Sequence, residues 1–305
     1  MTVERYSSLI KAHIIPGLGT IELQALDGGA IDRFYAHCRK EGRRHGGGLS
    51  SVTLHNVHRM LSQILASAVK AKKLAHSPIG DVQTKPKPKR KKIEVLDEKE
   101  LAALLDHLSG HWLYVPTLLA VSTGLRRGEV LGLRWHDIDF TKGTLQVTQS
   151  VEVIGGEICL TEPKTDRSRR TLKLPASLLP ELTRHRKEQA ELRLRLGLGK
   201  ADLVFTSPEG AMLNPTVFSE TFARQVRSAG VRATKFHGLR HLHISHLLKS
   251  GEPVHVVSAR AGHARPSITL DAYSHLLGGE DDQAAEQADN MLRRALGAKP
   301  VPTRR

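Results

Sequence analysis

The segment Thr84 to Lys92, TKPKPKRKK, constrains this chain more than any other. Its alternating prolines forbid a helix, and its like charges repel one another into an extended strand. It therefore reads as a linker, and the 305 residues are expected to fold as separate bodies on either side of it. With 39% apolar residues the chain can bury at least one substantial core, and two domains are expected. The divisions read from the pattern are a helical domain over 1–82, a basic linker over 83–95, a second domain over 96–280, and a terminal helix and tail over 281–305. The fold class expected is mainly α with a small antiparallel β-sheet (α+β).

Before the linker the periodicity is helical. Ile31, Phe34, Tyr35 and Cys38 share one face; Leu54, Val57, Met60, Leu61, Ile64, Leu65 and Val69 share another. HGGGLSS separates the two helices, and Ser50 or Ser51 can cap the second. An opening helix from Val3 to Ala12 runs at once into HIIPGLG, so an upstream segment is expected to be missing. Beyond the linker, Asp97 caps a new helix. Between Trp135 and Pro175 the pattern alternates, and LQVTQSVEV, GEICLTE and RTLKLP read as three strands of one sheet. The first two join across Gly155-Gly156 and the last two across KTDRS. Helical patterns then resume to about Leu296.

The charge balance narrows the partners. Forty-six Lys and Arg against 31 Asp and Glu leave a formal charge of +15, which favours a polyanion. No apolar run is long enough for a membrane span, and the N-terminus lacks a signal peptide's apolar region. No membrane partner is expected. Cys38 and Cys159 fall in different domains and read as reduced thiols. The histidines His237, His241, His243 and His246 do not make a zinc motif, since Gly238 stands where the glutamate of HExxH would be. Aromatic residues are 4% of the chain, thin for stacking unpaired bases, so duplex nucleic acid is favoured over single strands. Lys85, Lys87, Lys89, Arg90, Lys91 and Lys92 of the linker are candidate DNA contacts; the alternative is an ordinary solvated connector.

The remaining signals are ordered along the second domain. Arg126 follows a glycine turn in STGLRRGEV, HGLRH sets His237 and Arg240 three apart on one helical face, and AGH puts His263 ten residues before Tyr273 in DAYSHL. With Lys164 in PKT, this ordered set resembles the tyrosine recombinase, or phage integrase, family. The likeness covers nearly the whole chain: 97–277 matches the catalytic domain, and the helical first domain resembles the family's core-binding domain. Gly238, Ala261 and Leu242 depart from the residues the family more often carries there.

The resemblance implies a site-specific recombinase that cleaves and rejoins duplex DNA through a 3′-phosphotyrosyl bond. The chemistry suits the residues. In-line attack on a phosphodiester builds charge on its non-bridging oxygens, which planar guanidinium forks can hold. Arg126 and Arg240 are the expected clamps, Tyr273 the nucleophile, His237 the general base, and Lys164 the general acid for the leaving 5′ hydroxyl. His263 would hydrogen-bond the scissile phosphate. Glu129 is read as structural support for an arginine, and His241 and His243 as packing or orienting groups. With these charges in hand no metal, ATP or other cofactor is implied.

The resemblance further implies a two-domain clamp on DNA with specific recombination sites, a homotetramer passing through a Holliday junction, and accessory DNA-bending factors. The terminal helix, with Ala285, Ala288, Met291, Leu292 and Ala295 in one stripe, would dock in trans or else pack on its own domain. A cytoplasmic, nucleoid-associated protein of a prokaryote, a phage or another mobile genetic element fits this picture. The alternatives are a type IB topoisomerase and a DNA-binding regulator without catalysis. For isolated residues the plain readings are a core tyrosine, satisfied histidines and a solvated lysine; their order and spacing weigh against these.

Overall fold

The computed structural model describes residues 2–43, 46–88, 94–162, 169–274 and 280–295. Contacts divide the chain into two units, Met1–Lys92 and Ile93–Arg305. In the first, α1 (Thr2–Leu9) continues through a π turn, Ile10–Ile14, into α2 (Ile15–Leu18). The helix thus passes the expected stop at HIIPGLG. Pro16 sits in the first turn of α2, where a missing N–H is tolerated, and the π turn ahead of it takes up the break in the ladder. Asp27 caps α3 (Gly28–Glu41) by accepting from the Ala30 N–H at 2.6 Å. Ser50 caps α4 (Ser51–Lys70) through the Thr53 N–H at 3.1 Å. The two helices bury most of both predicted stripes together, while Ile64 stays exposed.

The start of the linker is tied to this unit. Asp32 of α3 accepts from the backbone N–H groups of Gln83 and Thr84, each at 2.9 Å. His55 of α4 donates to the Pro86 carbonyl at 2.9 Å. Lys85 and Lys87 remain exposed, as an extended charged strand requires. Lys89, Arg90, Lys91 and Lys92 lie outside the described residues.

The second unit opens with α5 (Glu98–His107), held by a reciprocal capping box in which Asp97 and Glu100 exchange bonds of 2.8 and 2.9 Å. There follow α6 (Tyr114–Thr123) and α7 (Arg127–Leu131), then β1 (Ile138–Asp139), β2 (Thr144–Val147), β3 (Ser150–Ile154), β4 (Glu157–Thr161) and β5 (Arg170–Lys173). After them come α8 (Leu178–Arg195), α9 (Pro215–Ser228), α10 (Phe236–Lys249), α11 (Val254–Ala261), α12 (Pro266–Tyr273) and α13 (Glu280–Ala295). The class is mainly α with small antiparallel sheets.

The strands correct the expected single sheet. They form two: an antiparallel β1-β2-β5 sheet and a β3-β4 hairpin. The stretch LQVTQSVEV is one run of alternation, but Thr148 and Gln149 break it. Thr148 donates to Asp137 and accepts from Arg134, both at 2.9 Å, and Gln149 donates to the Gly132 carbonyl at 2.7 Å. β5 pairs with β2 rather than with β4, putting Leu145 opposite Leu172, both buried in one core. The joint expected across KTDRS falls among residues 163–168, outside those described.

Packing sets the helices. Leu104, Leu119, Leu182, Phe222 and Leu239 are fully buried in the main core, each contributing roughly 2 kcal/mol by leaving water, well beyond any helix propensity. A smaller cluster of Ile244, Leu248, Val257, Ala261 and Tyr273 joins α10, α11 and α12. That cluster fixes Tyr273 at the end of α12 against α10 and α11. Among the described residues no helix is long and apolar enough to cross a membrane.

Candidate active site

Two glycine turns shape the site. Gly124, at φ +68°, ends α6 in the left-handed region, which a residue with a Cβ enters only at a cost. A Cβ there would also lie 2.6 Å from the His243 ring. The turn delivers Arg126 to the start of α7, where Glu129 accepts both its backbone N–H and its guanidinium at 2.8 Å. Arg126 donates again to the Gly262 carbonyl at 2.8 Å. Gly262 is the second such turn, at φ +67°, and a Cβ on it would meet the Arg170 guanidinium at 2.7 Å.

Glu129 serves two arginines. Arg170, at the start of β5, reaches its carboxylate with bonds of 2.9 and 3.1 Å and donates to the Arg260 carbonyl at 2.8 Å. Burial alone would raise the Glu129 carboxyl, but Arg170 and then Arg126 outweigh it and hold the group below its usual range. The expected supporting role thus has a geometry. It ties α7 to β5, and Arg170 extends the tie to the end of α11.

α10 supplies the next group. Arg240 is buried and donates to the Gly124 carbonyl at 2.7 Å. Burial and the charge of Arg126 push it down to about 9, still protonated at neutral pH. His237 lies on the exposed side of the helix, yet loss of water around its ring lowers its pKa, and the charges of His241, Arg240 and Arg126 lower it further. Its ring stands edge-on to His241 at 4.9 Å between centroids. Gly238, one of the departures from the family pattern, has a local reason: a Cβ there would meet the Thr234 hydroxyl at 2.1 Å. His243 packs inward, with Nδ1 donating to the Val121 carbonyl at 2.8 Å and Nε2 accepting from Arg260 at 3.2 Å.

Tyr273 ends α12 and is 1% exposed. Its hydroxyl shares a hydrogen bond with His241 Nδ1. Burial pushes the phenol up to about 12, with Arg240 pulling the other way. His263, just past α11, bonds Thr269 at 2.7 Å and is held down to about 4 by burial, with Arg240 and Arg126 adding to it. Ala261 packs in the cluster around Tyr273.

Arg126, His237, Arg240, His263 and Tyr273 therefore come to one place, although the first and last are 147 positions apart in the chain. Lys164 lies outside the described residues. Sequence reasoning missed Arg170 and Arg260, whose signal appears only once β5 pairs with β2 and α11 closes on it. It gave His241 no chemistry, although its spacing of four from His237 puts both on one face. A cage of permanent cations beside a phenol can hold a phosphodiester and attack it.

A family model described as the phage integrase family matches residues 94–279. A tyrosine recombinase XerC-like protein of Caldanaerobacter subterraneus is 32% identical over 86% of this chain and 70% of its own. Among solved structures, the Tn1549 transposon integrase in complex with transposon right end DNA is similar with a TM-score of 0.79 and 19% identity, over 95% of this chain and 93% of that one. A lambda integrase tetramer bound to a Holliday junction is similar with a TM-score of 0.63 and 19% identity, over 89% and 71%.

Proposed function

The chain belongs to the phage integrase family, the tyrosine recombinases, and on that premise we propose that it cuts and rejoins duplex DNA at specific sites through a 3′-phosphotyrosyl bond to Tyr273. The observation that carries the reading is the meeting of Arg126, Arg240, His237 and His263 around the Tyr273 phenol.

Arg126 and Arg240 hold the non-bridging oxygens of the scissile phosphate. Both guanidiniums are already oriented by carbonyls, so little freedom is lost when the anion arrives. His263, braced by Thr269, donates to the same phosphate, and His237 faces it from the exposed side of α10. Lys164 is the general acid for the leaving 5′ oxygen. Tyr273 is buried in the resting protein, so the groups that cover the phenol have to give way for the phosphate to reach it. No external energy source is required, because the phosphotyrosyl ester keeps the energy of the broken bond.

The protein works on DNA as a homotetramer in the cytoplasm, on nucleoid DNA and with accessory bending proteins. The exposed stripe of α13, with Met291 66% and Leu292 54% exposed, supports docking of that helix into a neighbouring copy. The linker cations Lys85, Lys87, Lys89, Arg90, Lys91 and Lys92 follow the phosphate backbone.

The test is to incubate the protein with sheared genomic DNA in EDTA and sequence the DNA that survives denaturation attached to protein. Adducts through a 3′ phosphate at one locus are expected from the native chain and none from Tyr273→Phe. Arg126→Lys and Arg240→Lys should each lose cleavage, because a lysine cannot copy the planar fork. Equal adducts from native and Tyr273→Phe protein would defeat the reading.

A further inference from the structure

We propose that His241 takes the proton from Tyr273 during strand cleavage and returns it during rejoining. The proposal rests on the reading of Tyr273 as the nucleophile. It starts from contact: the phenol's hydrogen-bond partner is His241 Nδ1, with ring centroids 5.8 Å apart. Among the described contacts His237, the expected base, reaches the phenol only by way of His241, whose ring lies 4.9 Å from its own.

The chemistry follows from the donor inventory. A phenol donates, and a neutral imidazole accepts at Nδ1 only when its proton is on Nε2. Burial first, then Arg240, holds His241 below the usual histidine range and so favours the uncharged ring, whose Nδ1 is open to the phenol's proton when its own proton sits on Nε2. The titratable groups around it are His237 and Arg240 of its own helix, Tyr273 of α12, and His263 beyond α11. A bound phosphate offsets the positive charge of Arg126 and Arg240, and with it the cost of forming an imidazolium beside them.

The step balances. The phenol O–H bond breaks, its proton passes to Nδ1, and the oxygen's electron pair forms the bond to phosphorus. The bond from phosphorus to the 5′ oxygen breaks, and that oxygen takes a proton from the general acid. In rejoining, the 5′ hydroxyl gives its proton back to the group that served as general acid and attacks the phosphotyrosine, and the departing phenolate recovers its proton from His241. The competing idea is that His241 only pins the buried phenol in place.

The two separate in one experiment on the full chain. Its substrate is a nicked duplex bearing the cleavage site defined by the native protein's own adducts, made with either oxygen or sulfur at the bridging 5′ position. His241→Asn keeps an acceptor near the position of Nδ1 but takes up no proton near neutral pH, and His241→Ala removes both properties. If His241 carries the proton, both variants form adduct about 100-fold or more slowly. Their rates rise steadily with pH where the native rate levels off. Sulfur, a leaving group that needs no proton, does not rescue them. Native speed in His241→Asn, or rescue by sulfur, overturns the proposal while leaving Tyr273 as nucleophile. A native protein that forms no adduct with any DNA overturns the nucleophile reading and this one together.

Discussion

Glu129 illustrates how far one buried charge can reach. Its carboxylate is 7% exposed and shared by Arg126 and Arg170. An exposed pair such as Arg184 with Glu188, at 2.7 Å, adds at most a few tenths of a kcal/mol. Removing the charge at Glu129 instead leaves two guanidiniums facing each other, a change that costs about 3–5 kcal/mol when both partners are buried. Arg126 is 39% exposed and can turn towards water, so the lower end applies. Glu129→Gln should lose about 3 kcal/mol in urea unfolding, and a loss under about 1 kcal/mol would show that the pairing does not hold the site. RRGE announces a glutamate near Arg126, but nothing in SRRTLKLP announces that Arg170 is its second partner.

Three imidazoles of α10, those of His237, His241 and His243, are uncharged at neutral pH. Both nitrogens of His243 are committed, and burial first, then Arg260, holds its pKa down to about 4, against about 6.5 in an unfolded chain. As pH falls through that window the unfolded chain binds the proton first, so unfolding gains. The contribution of His243 is therefore fully present above about pH 6.5 and is lost as pH falls towards 4. The melting temperature should drop between pH 7 and 4.5, and His243→Asn, less stable at pH 7, should drop less. An equal fall in both proteins would mean that other groups set the acid limit. The helix itself is legible in the sequence, as is the spacing of His237, Arg240 and His241 along it. Which histidine meets the phenol and which meets a carbonyl is not, because His237, His241 and His243 differ there only in angle around the axis.

For the chain as a whole, a charge of +15 predicts DNA binding that falls steeply with salt, by a slope of about 0.9 per phosphate contacted. Changing Lys85, Lys87, Lys89, Arg90, Lys91 and Lys92 to glutamine should lower that slope by up to about 5. It should leave adduct formation at low salt in place. An unchanged slope would return the linker to a solvated connector. The helical class and the break at TKPKPKRKK could be read from local pattern, and the ordered set Arg126, His237, Arg240, His263 and Tyr273 from its resemblance to the family. Periodicity, proline chemistry and spacing act over a few residues and survive in a bare string of letters. The split into two small sheets, the Glu129 tie between α7 and β5, the burial of Tyr273 and its bond to His241 could not. Each joins residues that spacing leaves far apart, and long-range packing decides which of several equally amphipathic faces meet.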